Sequence, residues 1–116
     1  MALPSVETAP EMPGPFELVD WTLTRELNVR PVKWELGRMT IHPTDGRPAQ
    51  EVLCLRLHVA PADKPAGSPW YDITSKHAVS TLRGHLESPG WESARFKIVW
   101  VGDGPRGRPI ITRTPA

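Results

Sequence analysis

Two alternating runs that face each other across a turn constrain this chain most. Val32–His42 and Gln50–Val59 flank Pro43–Ala49, where Thr44-Asp45-Gly46 carries turn chemistry. In the second run Leu53, Leu55, Leu57 and Val59 fall on one face; Val52, Cys54, Arg56 and His58 fall on the other. Successive side chains of a strand point to opposite faces, so this period of two predicts an antiparallel hairpin. The first run is irregular. Val32, Trp34 and Leu36 sit at even positions, Met39 and Ile41 at odd ones, and the parity switches at Gly37–Arg38. A glycine bulge there would bend the strand and keep both halves facing one core.

Around this hairpin the pattern predicts further elements. Phe16–Thr24 reads as a strand with apolar residues on both faces, Phe16 and Leu18 against Val19, Trp21 and Leu23. A Pro/Gly loop, Ala60–Pro69, leads to a short extended piece, Trp70–Ile73. Thr74 or Ser75 then caps a helix whose apolar face is Ala78, Val79, Leu82 and Leu86, with Lys76, Ser80, Arg83 and Glu87 opposite. Gly84 either ends this helix or is tolerated inside it, and Ser88-Pro89-Gly90 closes the segment. Ala94–Val101 and Pro109–Thr114 form a last hairpin. The expected class is α+β, mostly β. It is a small five- or six-stranded antiparallel sheet, or a barrel like the oligonucleotide/oligosaccharide-binding (OB) fold, with one helix before the last hairpin. Residues 1–15 hold Pro4, Pro10, Pro13 and Pro15 and read as a Pro-rich N-terminal arm, docked in cis or on a neighbour; residues 16–116 read as a single β-rich domain.

Composition narrows the classes. Leu, Ile, Val and Phe make up roughly a fifth of the chain, so the core is small and leans on five tryptophans. Net charge is +1, but residues 1–24 carry Glu7, Glu11, Glu17 and Asp20 with no base, whereas the basic residues gather toward the other end. One cysteine, Cys54, excludes an internal disulfide and a cysteine-cage zinc site, and fits a reducing compartment. No apolar run is long enough to span a bilayer, and the first residues lack a secretion signal's basic flank and apolar stretch, so the expected location is cytoplasmic.

The chemistry-bearing feature is Asp103-Gly104-Pro105-Arg106-Gly107-Arg108-Pro109, a basic hairpin tip. Its centre, Pro-Arg-Gly-Arg-Pro, resembles the core of the AT-hook, in which an extended Arg-Gly-Arg lies in the narrow minor groove of A·T-rich DNA. AT-hooks sit in flexible basic tails; here Asp103 and Ile110-Ile111 flank the motif, which favours a plain turn. A broader stripe is expected from Arg95, Lys97, Arg106, Arg108 and Arg113. If Trp100 pairs with Ile110, Lys97 lies opposite Arg113, a like-charge pairing that an anionic partner would relieve. Trp70, Tyr71 and Trp91 are candidate stacking surfaces for bases, whereas Trp21, Trp34 and Trp100 fit the core. His42, His58, His77 and His85 show no metal-ligand spacing, and no nucleophile motif or phosphate loop is present, so neither metal, cofactor nor catalysis is expected. Asp72, Thr74 and Ser75 read as helix-capping residues. The expected function is a small non-enzymatic nucleic-acid-binding domain contacting phosphates through this hairpin. The alternative is an accessory or structural subunit of a larger cellular or viral assembly. It would dock through its Pro-rich arm and would meet an acidic protein surface with its Arg-tipped hairpin.

Overall fold

The computed structural model describes residues 8–103 and 107–115. Its strands are β1 (Glu26–Val29), β2 (Pro31–Ile41), β3 (Gln50–Val59), β4 (Trp70–Ile73), β5 (Ala94–Val101) and β6 (Arg108–Pro115), with one helix, α1 (Lys76–Leu86), between β4 and β5. They form a small, mostly β, α+β fold. The six strands divide into two three-stranded antiparallel sheets, ordered β2-β3-β4 and β1-β5-β6. Neither sheet closes on itself. The expected single sheet or OB-like barrel is therefore replaced by two open sheets that share a core.

That core is built from three inward faces. Leu55, Leu57, Val59 and Ile73 come from the first sheet, Leu27, Val29, Phe96, Ile98 and Trp100 from the second, and Ala78, Val79, Leu82 and Leu86 from α1. The helix forms where its apolar spacing predicts. Ser75 is its N-cap, accepting a hydrogen bond from the Ala78 backbone N–H at 3.4 Å. Gly84 lies inside the helix, where a side chain would meet open space. Trp21 stacks on Trp100 with ring centroids 5.1 Å apart, so the core assignment of those two tryptophans holds.

Two local expectations are corrected. The β2–β3 register runs evenly through Gly37, which lies opposite Cys54; the irregularity falls between Pro31 and Lys33. Gly37 is not among the positive-φ glycines. The parity switch has a different cause, for both faces of β2 are covered. Trp34 and Leu36 pack on the main core, while Met39 turns to a second cluster with Met12 and Cys54. Met12 belongs to the N-terminal arm, and a Cβ at Gly37 would lie 2.9 Å from the Pro10 carbonyl oxygen and 3.2 Å from the Met12 Cβ. Glycine is there to let the arm approach.

Phe16–Thr24 is likewise not a strand. Asp20 turns the chain: its carboxylate accepts from the Thr22 N–H and hydroxyl, and its carbonyl accepts from Leu23 and Thr24 N–H. The preceding residues form a strap. The Arg38 N–H donates to Pro10 O and the Met12 N–H to Arg38 O, bridging the β2 edge. The Val19 N–H donates to Asp72 O and the Asp72 N–H to Glu17 O, bridging the β4 edge. One segment thus covers both edges of the first sheet and crosses the face between them.

Candidate functional site

Beneath the strap lies a cluster of buried charged groups. Arg56 and Asp72 are register partners on β3 and β4, both buried. The guanidinium holds the carboxylate in two places, Nε to Oδ1 at 2.8 Å and Nη2 to Oδ2 at 3.2 Å. Asp72 is therefore half of a buried ion pair rather than a helix cap. The Arg56 guanidinium also lies 4.5 Å from the Trp70 ring centroid and 5.6 Å from that of Phe16. It donates to Pro15 O at 3.2 Å, and the Glu17 N–H donates to Asp72 Oδ2 at 2.8 Å. The pair anchors the strap. Burial, followed by the nearby Asp72 charge, pushes the Cys54 thiol up to about 12, so it is an inert core group at neutral pH. On the same face Glu35 and His58 meet at 2.8 Å, and the His58 hydrogen bond holds the Glu35 carboxyl below its ordinary range.

The predicted basic residues lie on the other sheet. In β5, Phe96, Ile98 and Trp100 point inward, while Arg95, Lys97, Val99 and Val101 point outward. Register places Arg108 opposite Val101, Ile110 opposite Val99, and Thr112 opposite Lys97. The outer face therefore gathers Arg95, Lys97 and Arg108 around an apolar centre of Val99, Val101 and Ile110. Val101 is 43% exposed and Ile110 48%.

Arg113 is not part of this face. It lies opposite Phe96, because Trp100 pairs with Pro109 rather than Ile110. It binds the end of α1, donating to His85 O at 3.2 Å, to Pro89 O at 2.6 Å and to the Ser88 hydroxyl. A cation there suits the negative end of the helix dipole. The like-charge opposition expected between Lys97 and Arg113 does not arise.

The remaining cations differ in freedom. Arg95 meets Asp63 at 2.9 Å, and Lys97 approaches Glu26 at 3.6 Å. Burial tends to raise the Asp63 carboxyl; the Arg30 backbone N–H, with Arg95, outweighs it and leaves the group below its ordinary range. Arg108 is exposed and has no ion-pair partner among the described residues. Arg106 lies outside the described residues. A Cβ at Gly107 would collide with the Trp100 indole nitrogen, which is a packing reason for the glycine of Pro-Arg-Gly-Arg-Pro.

The three candidate stacking aromatics are half-buried and elsewhere. Trp70 packs under Arg56, and Tyr71 faces the main core with Lys64 5.4 Å from its ring centroid. Burial raises the Tyr71 phenol above its ordinary range. Trp91 follows α1 and packs against the main core. The alternation Lys97-Ile98-Val99-Trp100-Val101 predicts a strand that becomes buried on both faces toward its end; instead Val101 is exposed and Val99 half-buried on the outer face.

The free edge of β6 has its own character. The Trp100 N–H donates to Arg25 O, so even positions of β5 address β1 and odd positions address β6. Pro109, Ile111, Arg113 and Pro115 must then turn their backbone groups away from β5. Two of them lack an N–H, which blunts this edge against an added strand. A partner would meet the face rather than extend the sheet.

A cleft of about 480 Å³ opens beside the Trp21–Trp100 pair, lined also by Thr74, Ser75, His77 and Gly107. Among the described residues no group of His, Cys, Asp and Glu has metal-binding geometry, and no helix is long and apolar enough to cross a membrane. No protein-family model matches the chain, and neither curated proteins nor solved structures give a match.

Proposed function

We propose that the chain is a non-enzymatic protein-interaction domain, an accessory subunit that docks through the outer face of β5 and β6. The supporting observation is the pair of exposed apolar side chains Val101 and Ile110 beside half-buried Val99 on that face, with Arg108 and Lys97 next to them. Interfaces of this kind place desolvated apolar groups at the centre and polar groups at the rim. A partner with an apolar centre and an acidic rim matches both. Phosphates reward cations without an apolar centre, and here Arg95 and Lys97 already have carboxylate neighbours. That distribution favours the protein partner over nucleic acid. The lone unpaired cysteine, Cys54, supports a reducing, cytoplasmic setting.

The test is a photo-crosslinker at position 110 in cells, followed by binding measurements on the purified crosslinked protein. Binding should fall at least tenfold in Val101→Asp and show modest salt dependence. If the product is instead nuclease-sensitive, the domain binds nucleic acid. Arg108→Ala should then lower the slope of log K against log salt by about 0.7–0.9.

A further inference from the structure

The strap is an intramolecular ligand seated on a prepared site. Each end makes its own backbone bridge to a sheet edge, at Arg38 and at Asp72. Between them, Phe16 covers Arg56 and Glu17 accepts from the Ser68 N–H at 3.0 Å, with Lys64 3.7 Å away. These partners all lie in β2, β3, β4 or the loop before β4. Beyond the strap Trp21 is held in the main core by Trp100 of the second sheet, and the exposed turn around Leu23 leads on to β1.

Opening the site would uncover the small Met39–Cys54 cluster but would strand no charge. Arg56 and Asp72 belong to neighbouring strands, so lifting the strap leaves the pair intact and hydrates it. No buried charge is orphaned, which is the costly outcome for such pairs. Glu35 and His58 on the same face are polar and already partnered.

We propose that the strap is exchangeable, residues 8–19 of one chain seating on the first sheet of a second copy while Trp21 stays stacked on its own Trp100. The occupant is set by the chemistry of the site: a segment with Met12 for the Met39–Cys54 cluster, a carbonyl and aromatic ring for Arg56, and a carboxylate for Ser68 and Lys64. A second copy carries all of these in the right order. Straightening the chain at the exposed Asp20, ahead of Trp21, would free the segment, and exchanging an identical element needs no new contact type.

The test uses full-length chains in a Cys54→Ala background. One carries Glu11→Cys, the other Arg38→Cys, positions bridged across the β2 edge. After joint unfolding, refolding at high concentration and oxidation, exchange yields a disulfide heterodimer whose fraction rises with concentration. Only monomers from the mixture, while both substitutions in one chain close an internal bridge, would overturn the proposal. Sedimentation of the unmodified chain refolded the same way gives an independent readout. A single monomeric species at every concentration overturns exchange whatever the disulfides do. Dimers that form without the heterobridge place the contact on another surface and overturn it too.

Discussion

The two sheets treat their outward faces in opposite ways. The first buries a charged pair, Arg56 and Asp72, under its own N-terminal segment and has both edges bridged by that segment. The second leaves Val101 and Ile110 exposed on a face that no described residue covers, and prolines blunt its β6 edge. A covered polar face and an uncovered partly apolar face invert the usual distribution. The contrast separates chemistry that holds the fold together from the face proposed for docking. The charges on the first sheet hold the chain to itself, whereas Val101 and Ile110 on the second stay exposed among the described residues.

Breaking the first region should have the largest effect. Asp72→Ala leaves Arg56 buried without its carboxylate and should cost about 3–5 kcal/mol, seen as a collapse of the denaturant midpoint. Arg56→Met with Asp72→Leu, which removes both charges, should recover most of that stability. Recovery would show that the pair anchors the strap without being the main source of stability. Equal losses in the single and double variants would contradict this.

Next comes Gly37→Val. The added side chain meets Pro10 O and Met12, so the loss should be about 1–3 kcal/mol from overpacking. It should also be non-additive with Met12→Ala, which makes room on the strap side. Strict additivity in a double-mutant cycle would detach Gly37 from the strap.

Cys54 gives a smaller, pH-dependent effect. Its thiol is raised in the folded state from an ordinary value of 9 to about 12. The protonated thiol's contribution is complete below pH 9 and is lost as pH rises from there toward 12. The fall in melting temperature across that window should be shallower in Cys54→Ala than in the parent. Identical alkaline slopes would remove the thiol from the linkage.

The second region should barely register in stability. Ile110→Thr and Arg108→Ala sit on an exposed face and should change unfolding free energy by no more than about 0.5 kcal/mol. A loss of several times that would make the outer face part of the fold's support rather than a free surface.

Some of this was legible in the residues. The 2.0 period of Gln50–Val59, the helical spacing from Ala78 to Leu86 and the last hairpin all appear where their patterns place them. These are local periodicities, fixed by backbone geometry. The parity switch at Gly37 was visible but misassigned, because one apolar stripe on each face looks the same as one stripe shifted by a bulge. The candidate cations were divided for a similar reason. A one-residue register shift moves Arg113 from the outer face to the end of α1, and turn residues alone did not fix that register.

The sequence by itself determined the strand and helix segments, the turn chemistry and the lone thiol, because each depends on neighbours in the chain. Tertiary structure alone decided that six strands split into two sheets and that Pro10–Val19 runs across one of them. It also decided that Asp72 meets Arg56 rather than capping a helix. Those outcomes rest on contacts between residues far apart in the chain, from the Glu17–Asp72 hydrogen bond to the pairing of Glu26 with Val99. Local propensity carries no record of them, since the energy that selects them exists only once distant faces have been brought together.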